Sequence, residues 1–244
     1  MIKKIIKGNT FHRIRTMLFP YRLMADEYYD ALYVTINGAP LFVPENIYCI
    51  HYAIAHLPTD DPVLEIGSFT GMSTCMLSHF LSLHNRENKL ITVDKWEFEE
   101  KEKNYYARVL KVPPAEMKQY IRESFIRNVR HFSGEWLPHT FEMFSDEFFE
   151  CWHHRRKVKN IWGTSEDTGG AVSFAYLDGN HQYAFVKRDF ENVHRCLVQG
   201  GFIFFDDSAA HIRSGMHDFM KEMKQRKDYE VVLKNPNYLY RRIR

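Results

Sequence analysis

Short apolar runs alternate along this chain with longer stretches in which apolar residues recur every three or four positions. Val63 to Ile66, Leu90 to Val93, Val172 to Leu177 and Phe202 to Phe205 are too short for helices, so they read as strands buried on both faces of a parallel sheet. His139 to Phe144 predicts a further strand. Between them the period is helical: Ile47, Ile50, Ile54 and Leu57 mark a helix within Pro44 to Leu57, and Met72 to Leu83 and Glu147 to Arg155 are two more. Val186, Phe190, Val193 and Leu197 form the stripe of another helix, which should stop at Gly200-Gly201. A helix from about Ser214 to Arg226 and two runs, Glu230 to Leu233 and Tyr238 to Arg241, about Asn235-Pro236-Asn237 complete the chain as a terminal antiparallel pair. The alternation of strand and helix predicts an α/β fold.

Three segments depart from that rhythm. Ala31 to Ile36 and Leu41 to Val43 flank Asn37-Gly38, which predicts a β-hairpin. Lys95 to Leu137 is a long crossover with Trp96, Phe98, Tyr105, Tyr106, Tyr120 and Trp136, suited to one or two extra helices over a crevice. Gly163 to Gly170 is polar, glycine-bearing and without hydrophobic period, which predicts an exposed loop. The organisation expected is an N-terminal arm, hairpin and helix over 1–57 and a main domain over 58–244, with insertions at about 95–137 and 155–171.

With 244 residues, 45% of them hydrophobic, the chain can bury the core of one such domain. Its 33 basic and 31 acidic residues nearly cancel, which argues against nucleic acid as a partner and leaves small substrates open. Cys49, Cys75, Cys151 and Cys196 lie far apart without a C-x-x-C pair, as expected of reduced thiols in a cytoplasmic protein. Lys7, His12, Arg13 and Arg15 interrupt the apolar residues of the first 24 positions, so neither a signal peptide nor a membrane span is expected there. That basic arm and the hairpin suit contacts in a homo-oligomer.

The candidate chemistry sits at the ends of the strands. After Val63 to Ile66 comes Gly67-Ser68-Phe69-Thr70-Gly71-Met72-Ser73, a strand-loop-helix turn for a nucleotide-type cofactor. Phe69 and Met72 are too bulky for a pyrophosphate loop of the G-x-G-x-x-G kind, so a ligand with an amino-acid end fits better. Gly67 and Gly71 allow close backbone approach, Ser73 can bond a carboxylate near the positive helix end, and Asp94, closing the second strand, is placed for a ribose diol. Asp178, in Asp178-Gly179-Asn180-His181, and the pair Asp206-Asp207 follow two strands that would be neighbours about 4.8 Å apart. Three carboxylates so close repel unless a cation joins them, and hard oxygen donors favour magnesium, manganese or calcium. His181, on the turn after Asp178, can reach the same cavity and suits a general base. Taken singly, Asp-Gly-Asn-His reads equally as a turn with a helix cap, and Asp206-Asp207 as a solvated strand end.

Glu65-x-Gly67-x-x-x-Gly71, Asp94, Asp-Gly-x-His-x-Tyr and the Gly-Gly-x-Ile-x-x-x-Asp-Asp stretch together resemble, over about Pro62 to Ser208, the metal-dependent O-methyltransferases of class I, the macrocin and mycinamicin group. The resemblance implies a Rossmann-like sheet of seven mostly parallel strands with the last antiparallel and helices on both faces. It implies S-adenosylmethionine held by Glu65, Gly67, Ser68, Phe69, Gly71, Ser73 and Asp94, with Ser145 and Asp146 by the adenine. It implies also magnesium on Asp178, Asp206 and Asp207, His181 as candidate base, and a small-molecule hydroxyl as acceptor, a sugar or a phenolic compound. The alternatives are a hydroxylase of a related group, which would need two histidines and a carboxylate around iron, and an RNA-modifying or non-catalytic protein on the same scaffold.

Overall fold

The structure, a computed structural model, describes residue 22 and residues 24–97, 109–134, 136–212 and 214–244. The expected N-terminal arm, apart from residues 22 and 24, and the part of the long crossover from 98 to 108 lie outside the described residues. The strands are β1 (Val63–Ile66), β2 (Leu90–Val93), β3 (His139–Phe141), β4 (Lys157–Lys159), β5 (Ser165–Asp167), β6 (Val172–Leu177), β7 (Leu197–Phe205), β8 (Tyr229–Lys234) and β9 (Tyr238–Arg242). Seven of them form one sheet in the order β3-β2-β1-β6-β7-β9-β8. The first five in that order run parallel, and β9 is antiparallel to both β7 and β8. The chain moves outward from β1 in one direction and then resumes at β6 on the other side. Such a switch point opens a crevice at the carboxyl ends of the strands.

Among the described residues, the sheet is covered by α1 (Glu27–Thr35), α2 (Asn46–Ala55), α3 (Met72–Leu83), α4 (Pro114–Phe132), α5 (Ser145–His153), α6 (Tyr183–Cys196) and α7 (Gly215–Met223). Because side chains alternate along a strand, neighbours in β7 serve opposite cores. Phe204 packs with Leu32, Ile50, Leu77 and Phe125 of α1 to α4, while Phe205 packs with Phe148, Phe190 and Met220 of α5 to α7. This is the class I methyltransferase topology expected of the sequence, with helices on both faces.

Several local expectations fail. The hairpin over Ala31 to Val43 is replaced by α1 and a 3-10 turn at Ala39–Leu41. The Asp26 side chain accepts from the Tyr29 N–H at 2.8 Å, and Tyr29, Leu32 and Ile36 are all buried, so capping and a three-and-four spacing outweigh the strand propensity. Gly38 does adopt φ 89°, but past a helix end rather than between strands. The sixth helix stops at Cys196, and Gly200-Gly201 lie inside β7. There the pairing passes from Val172 with Leu197 to Phe174 with Phe202, and glycine accommodates the bulge. Gly163 to Gly170 does not stay a plain loop, since β4 and β5 form a small antiparallel ribbon whose outer residues are exposed and whose inner ones, Val158 and Glu166, are half-buried, too short a run to show a hydrophobic period. The third strand is also shorter than expected, and α5 begins at Ser145, where the Glu147 carboxylate accepts from the Phe144 N–H at 3.0 Å.

Candidate active site

The strand exits are laced together one residue past the ladder. Gly67 N–H donates to Val93 O at 2.9 Å, Asp178 N–H to Ile66 O at 2.8 Å, and Asp206 N–H to Leu177 O at 3.0 Å. Gly67, Asp94, Asp178 and Asp206 are thereby brought to one edge of the sheet.

The glycine loop is fastened from below by Asp94. Its Oδ2 accepts from the N–H of Ser68 at 2.7 Å and of Phe69 at 2.9 Å, and its Oδ1 from the Trp96 N–H at 2.6 Å. The Trp96 indole donates to Phe69 O at 3.0 Å, and the Asn128 amide to Thr70 O at 2.9 Å. Phe69 itself sits at φ 45°, a strained value that these bonds hold in place. The carboxylate that spacing assigns to a ribose diol is thus occupied by its own loop. Burial pushes the Asp94 carboxyl up, against the backbone hydrogen bonds that favour its charge.

Glu65 likewise faces inward. It is fully buried, Ser73 and Thr74 donate to its two oxygens at 2.6 Å each, and Thr92 adds a third hydroxyl. Desolvation raises its pKa to about 7 despite these donors. The Ser73 hydroxyl, expected to meet a ligand carboxylate, is turned to Glu65 because a buried carboxylate demands donors. Ser145 and Asp146 begin α5 and look toward α6: Ser145 bonds Asp189, and Asp146 pairs with Arg188 at 3.0 Å.

The second cluster lies at the ends of β6 and β7. His181 Nδ1 is 3.2 Å from Asp207 Oδ2, and Nε2 is 3.4 Å from Asp178 Oδ1. Asp206 is 4% exposed and accepts from the amides of Asn46 and Asn237 and from the Tyr176 hydroxyl, at 2.7, 2.6 and 3.2 Å. The Tyr176 hydroxyl also lies 3.4 Å from Asp178 Oδ2. Burial raises the Asp178 carboxyl, and burial with the charges of Asp178 and Asp207 lifts Asp206 well above the usual carboxylate range. Hydrogen bonding from His181 holds Asp207 low. Burial alone would lower the imidazole, but the two carboxylates outweigh it and push it up to about 11.

The three expected metal carboxylates therefore converge with His181 among them, and the positive charge they share is the imidazolium. Among the described residues no three His, Cys, Asp or Glu side chains stand in a metal-holding arrangement. The structure also differs from the expectation of a near-neutral base, since in this arrangement the imidazole keeps its proton at neutral pH. Tyr176, Asn46, Asn237, Trp96 and Asn128 were not picked out as site residues by sequence reasoning. Only Tyr176 left a signal, standing two residues before Asp178 and so on the same strand face.

A methyltransferase-domain family model matches residues 64–208. No curated protein sequence matches the chain. Among solved structures, the O-methyltransferase TomG of Streptomyces achromogenes, involved in tomaymycin synthesis and in complex with SAM, is 13% identical with a TM-score of 0.55, over 96% of each chain. The SAH-bound methyltransferase PaMTH1 of Podospora anserina is 13% identical with a TM-score of 0.56, over 97% of this chain and 96% of that one. An O-methyltransferase of Bacillus cereus in complex with SAH is 14% identical with a TM-score of 0.52, over 98% of this chain and all of that one. A glycine loop at the switch point, acidic exits on the neighbouring strands and a family match across the whole parallel half of the sheet agree, and the chain belongs to the methyltransferase-domain family.

Proposed function

We propose that this protein transfers a methyl group from S-adenosylmethionine to a hydroxyl of a small molecule, with a divalent cation, magnesium by preference, on Asp178, Asp206 and Asp207. The observation that carries the reading is the meeting of these carboxylates with His181 beside the exit of β1, where Gly67 and Asp178 are in backbone contact. The structural likeness to SAM- and SAH-bound methyltransferases supports the cofactor. A neighbour of similar fold described as a TDP-rhamnose 3'-O-methyltransferase keeps a sugar among the acceptor classes to test.

The donor set fits a hard cation, because all three side chains offer carboxylate oxygen and the single imidazolium of His181 leaves the three of them with net negative charge. Bound there, such an ion supplies charge to the carboxylates and lowers the pKa of an acceptor hydroxyl. The chain's own residues do the rest. The loop from Gly67 to Gly71, pinned by Asp94, presents backbone to the cofactor's amino-acid end. His181 is the candidate base, and it can take the acceptor proton only once the imidazole, whose pKa Asp178 and Asp207 push up to about 11, has released its own. No feature among the described residues favours the hydroxylase or the RNA-modifying alternative.

Calorimetry with S-adenosylmethionine, S-adenosylhomocysteine and NAD, followed by methyl transfer to a panel of sugar and phenolic hydroxyls with and without chelator, tests the proposal. Binding of the first two ligands and not NAD, with turnover lost to chelator and restored by magnesium, is expected. Tight NAD binding would overturn the cofactor, and full turnover in excess chelator the metal.

A further inference from the structure

Asp206 is held by residues from the two flanks of the fold. Asn46, the first residue of α2, donates its amide to Asp206 Oδ1 at 2.7 Å, and Asn237, in the turn between β8 and β9, donates to the same oxygen at 2.6 Å. The second Asn237 hydrogen goes to Asn46 Oδ1 at 3.0 Å, which closes a triangle of three side chains. Neither amide has a free choice of orientation. Asn237 Oδ1 accepts from the Ala209 N–H at 3.0 Å, and a backbone N–H can only donate, so the Asn237 amide nitrogen must face Asp206. Asn46, with its oxygen taken by Asn237, must then present its own nitrogen as well. The two asparagines are 0% exposed. The turn is itself anchored, because the Asn235 amide donates to Glu45 O at 2.9 Å, directly before Asn46.

A buried carboxylate that accepts two amide donors on one oxygen has a fixed rotamer. Its other oxygen, Oδ2, accepts from the Tyr176 hydroxyl at 3.2 Å, on the side of Asp178. Asn46 and Asn237 both lie outside the segment, 64–208, that the family model matches.

We infer that Asn46 and Asn237 are positioning residues for the cation site, which clamp Oδ1 of Asp206 so that Oδ2 is presented to a divalent ion. The inference rests on the metal reading of Asp178, Asp206 and Asp207 proposed above. Outer-shell partners that orient a ligating carboxylate commonly contribute about 10- to 100-fold in metal affinity.

The test uses the full chain, with Mn2+ affinity from electron paramagnetic resonance and S-adenosylhomocysteine affinity from calorimetry. Asn46→Ala and Asn237→Ala should each weaken Mn2+ binding by about 10- to 100-fold and leave S-adenosylhomocysteine binding unchanged. Asn46→Ser, which keeps a hydroxyl donor and most of the packing, should fall between Asn46→Ala and wild type. Variants that bind Mn2+ as wild type does overturn the inference alone. Parallel loss of both ligands marks a structural role and also overturns it. Wild-type protein that takes up no Mn2+ while binding S-adenosylhomocysteine overturns the metal reading, and this inference with it.

Discussion

A Cβ placed on Gly67 would stand 2.1 Å from the carbonyl oxygen of Asp178. The glycine loop and the carboxylate turn are therefore in backbone contact, and the φ of 85° at Gly67 adds a second reason for glycine. Gly67→Ala should cost on the order of 3 kcal/mol or more, from the positive φ and from backbone overlap that cannot yield. Gly71→Ala should cost about 1–2 kcal/mol, because at φ 92° its nearest neighbour is the movable Val129 side chain at 2.9 Å. Urea denaturation of the two variants checks the order, and equal losses would refute the contact.

Glu65 makes the fold sensitive to pH. Its pKa is lifted from 4.5 to about 7, so the folded chain keeps a proton there that the unfolded chain has released. This contribution to stability is complete below pH 4.5 and is lost as pH rises through 7. Denaturation midpoints measured from pH 5 to 8 should fall more steeply in wild type than in Glu65→Gln. Part of the slope should survive in the variant, because burial also holds the Asp189 carboxyl at about 7.

Asp94 holds the glycine loop, so any effect it has on a ligand must pass through that loop. Asp94→Ala removes the acceptor for the N–H groups of Ser68, Phe69 and Trp96. S-adenosylhomocysteine binding should weaken by about 1.5–3 kcal/mol, the range for lost charge-assisted hydrogen bonds. Amide exchange at residues 67–71 of the free protein should accelerate at the same time, and an unchanged exchange pattern would show that the loop does not depend on Asp94.

His181→Ala should lower kcat by about a hundredfold or more, as expected for loss of a general base, with cofactor affinity retained. Because Asp178 and Asp207 push the imidazole up to about 11, wild-type kcat/KM should still climb with pH above neutrality, and that climb should vanish in the variant. An unchanged rate with a stability loss of about 1 kcal/mol would leave His181 as a helix cap.

The parallel half of the sheet was legible because each of its central strands is an apolar run closed by a glycine or a carboxylate. Met72–Leu83 and Leu90–Val93 appear with the ends expected of them. Asn37-Gly38 misled because a positive φ serves a helix exit as well as a hairpin, and only the burial of Leu32 and Ile36 separates the two. The convergence of Asp178, His181, Asp206 and Asp207 could be read from strand order, but the direction of each side chain could not. Ser73 and Asp94 carry the right chemistry for a ligand, yet tertiary packing gives Ser73 to Glu65 and Asp94 to the loop. Asn46 and Asn237 were illegible for a plainer reason: they meet Asp206 across 160 and 31 residues, and no local pattern records such a meeting.

The triangle of Asn46, Asn237 and Asp206 sets an order of events during folding. Its closing bond spans 191 residues, and contacts of that separation form late because the intervening chain must first be brought together. A chain emerging from the ribosome can pair β1, β2 and β6 before Asn237 has been synthesised, so sheet and helices precede the finished carboxylate. If the cation site proposed above holds, circular dichroism should recover ahead of divalent-ion uptake in refolding, because the β8–β9 turn must first reach α2.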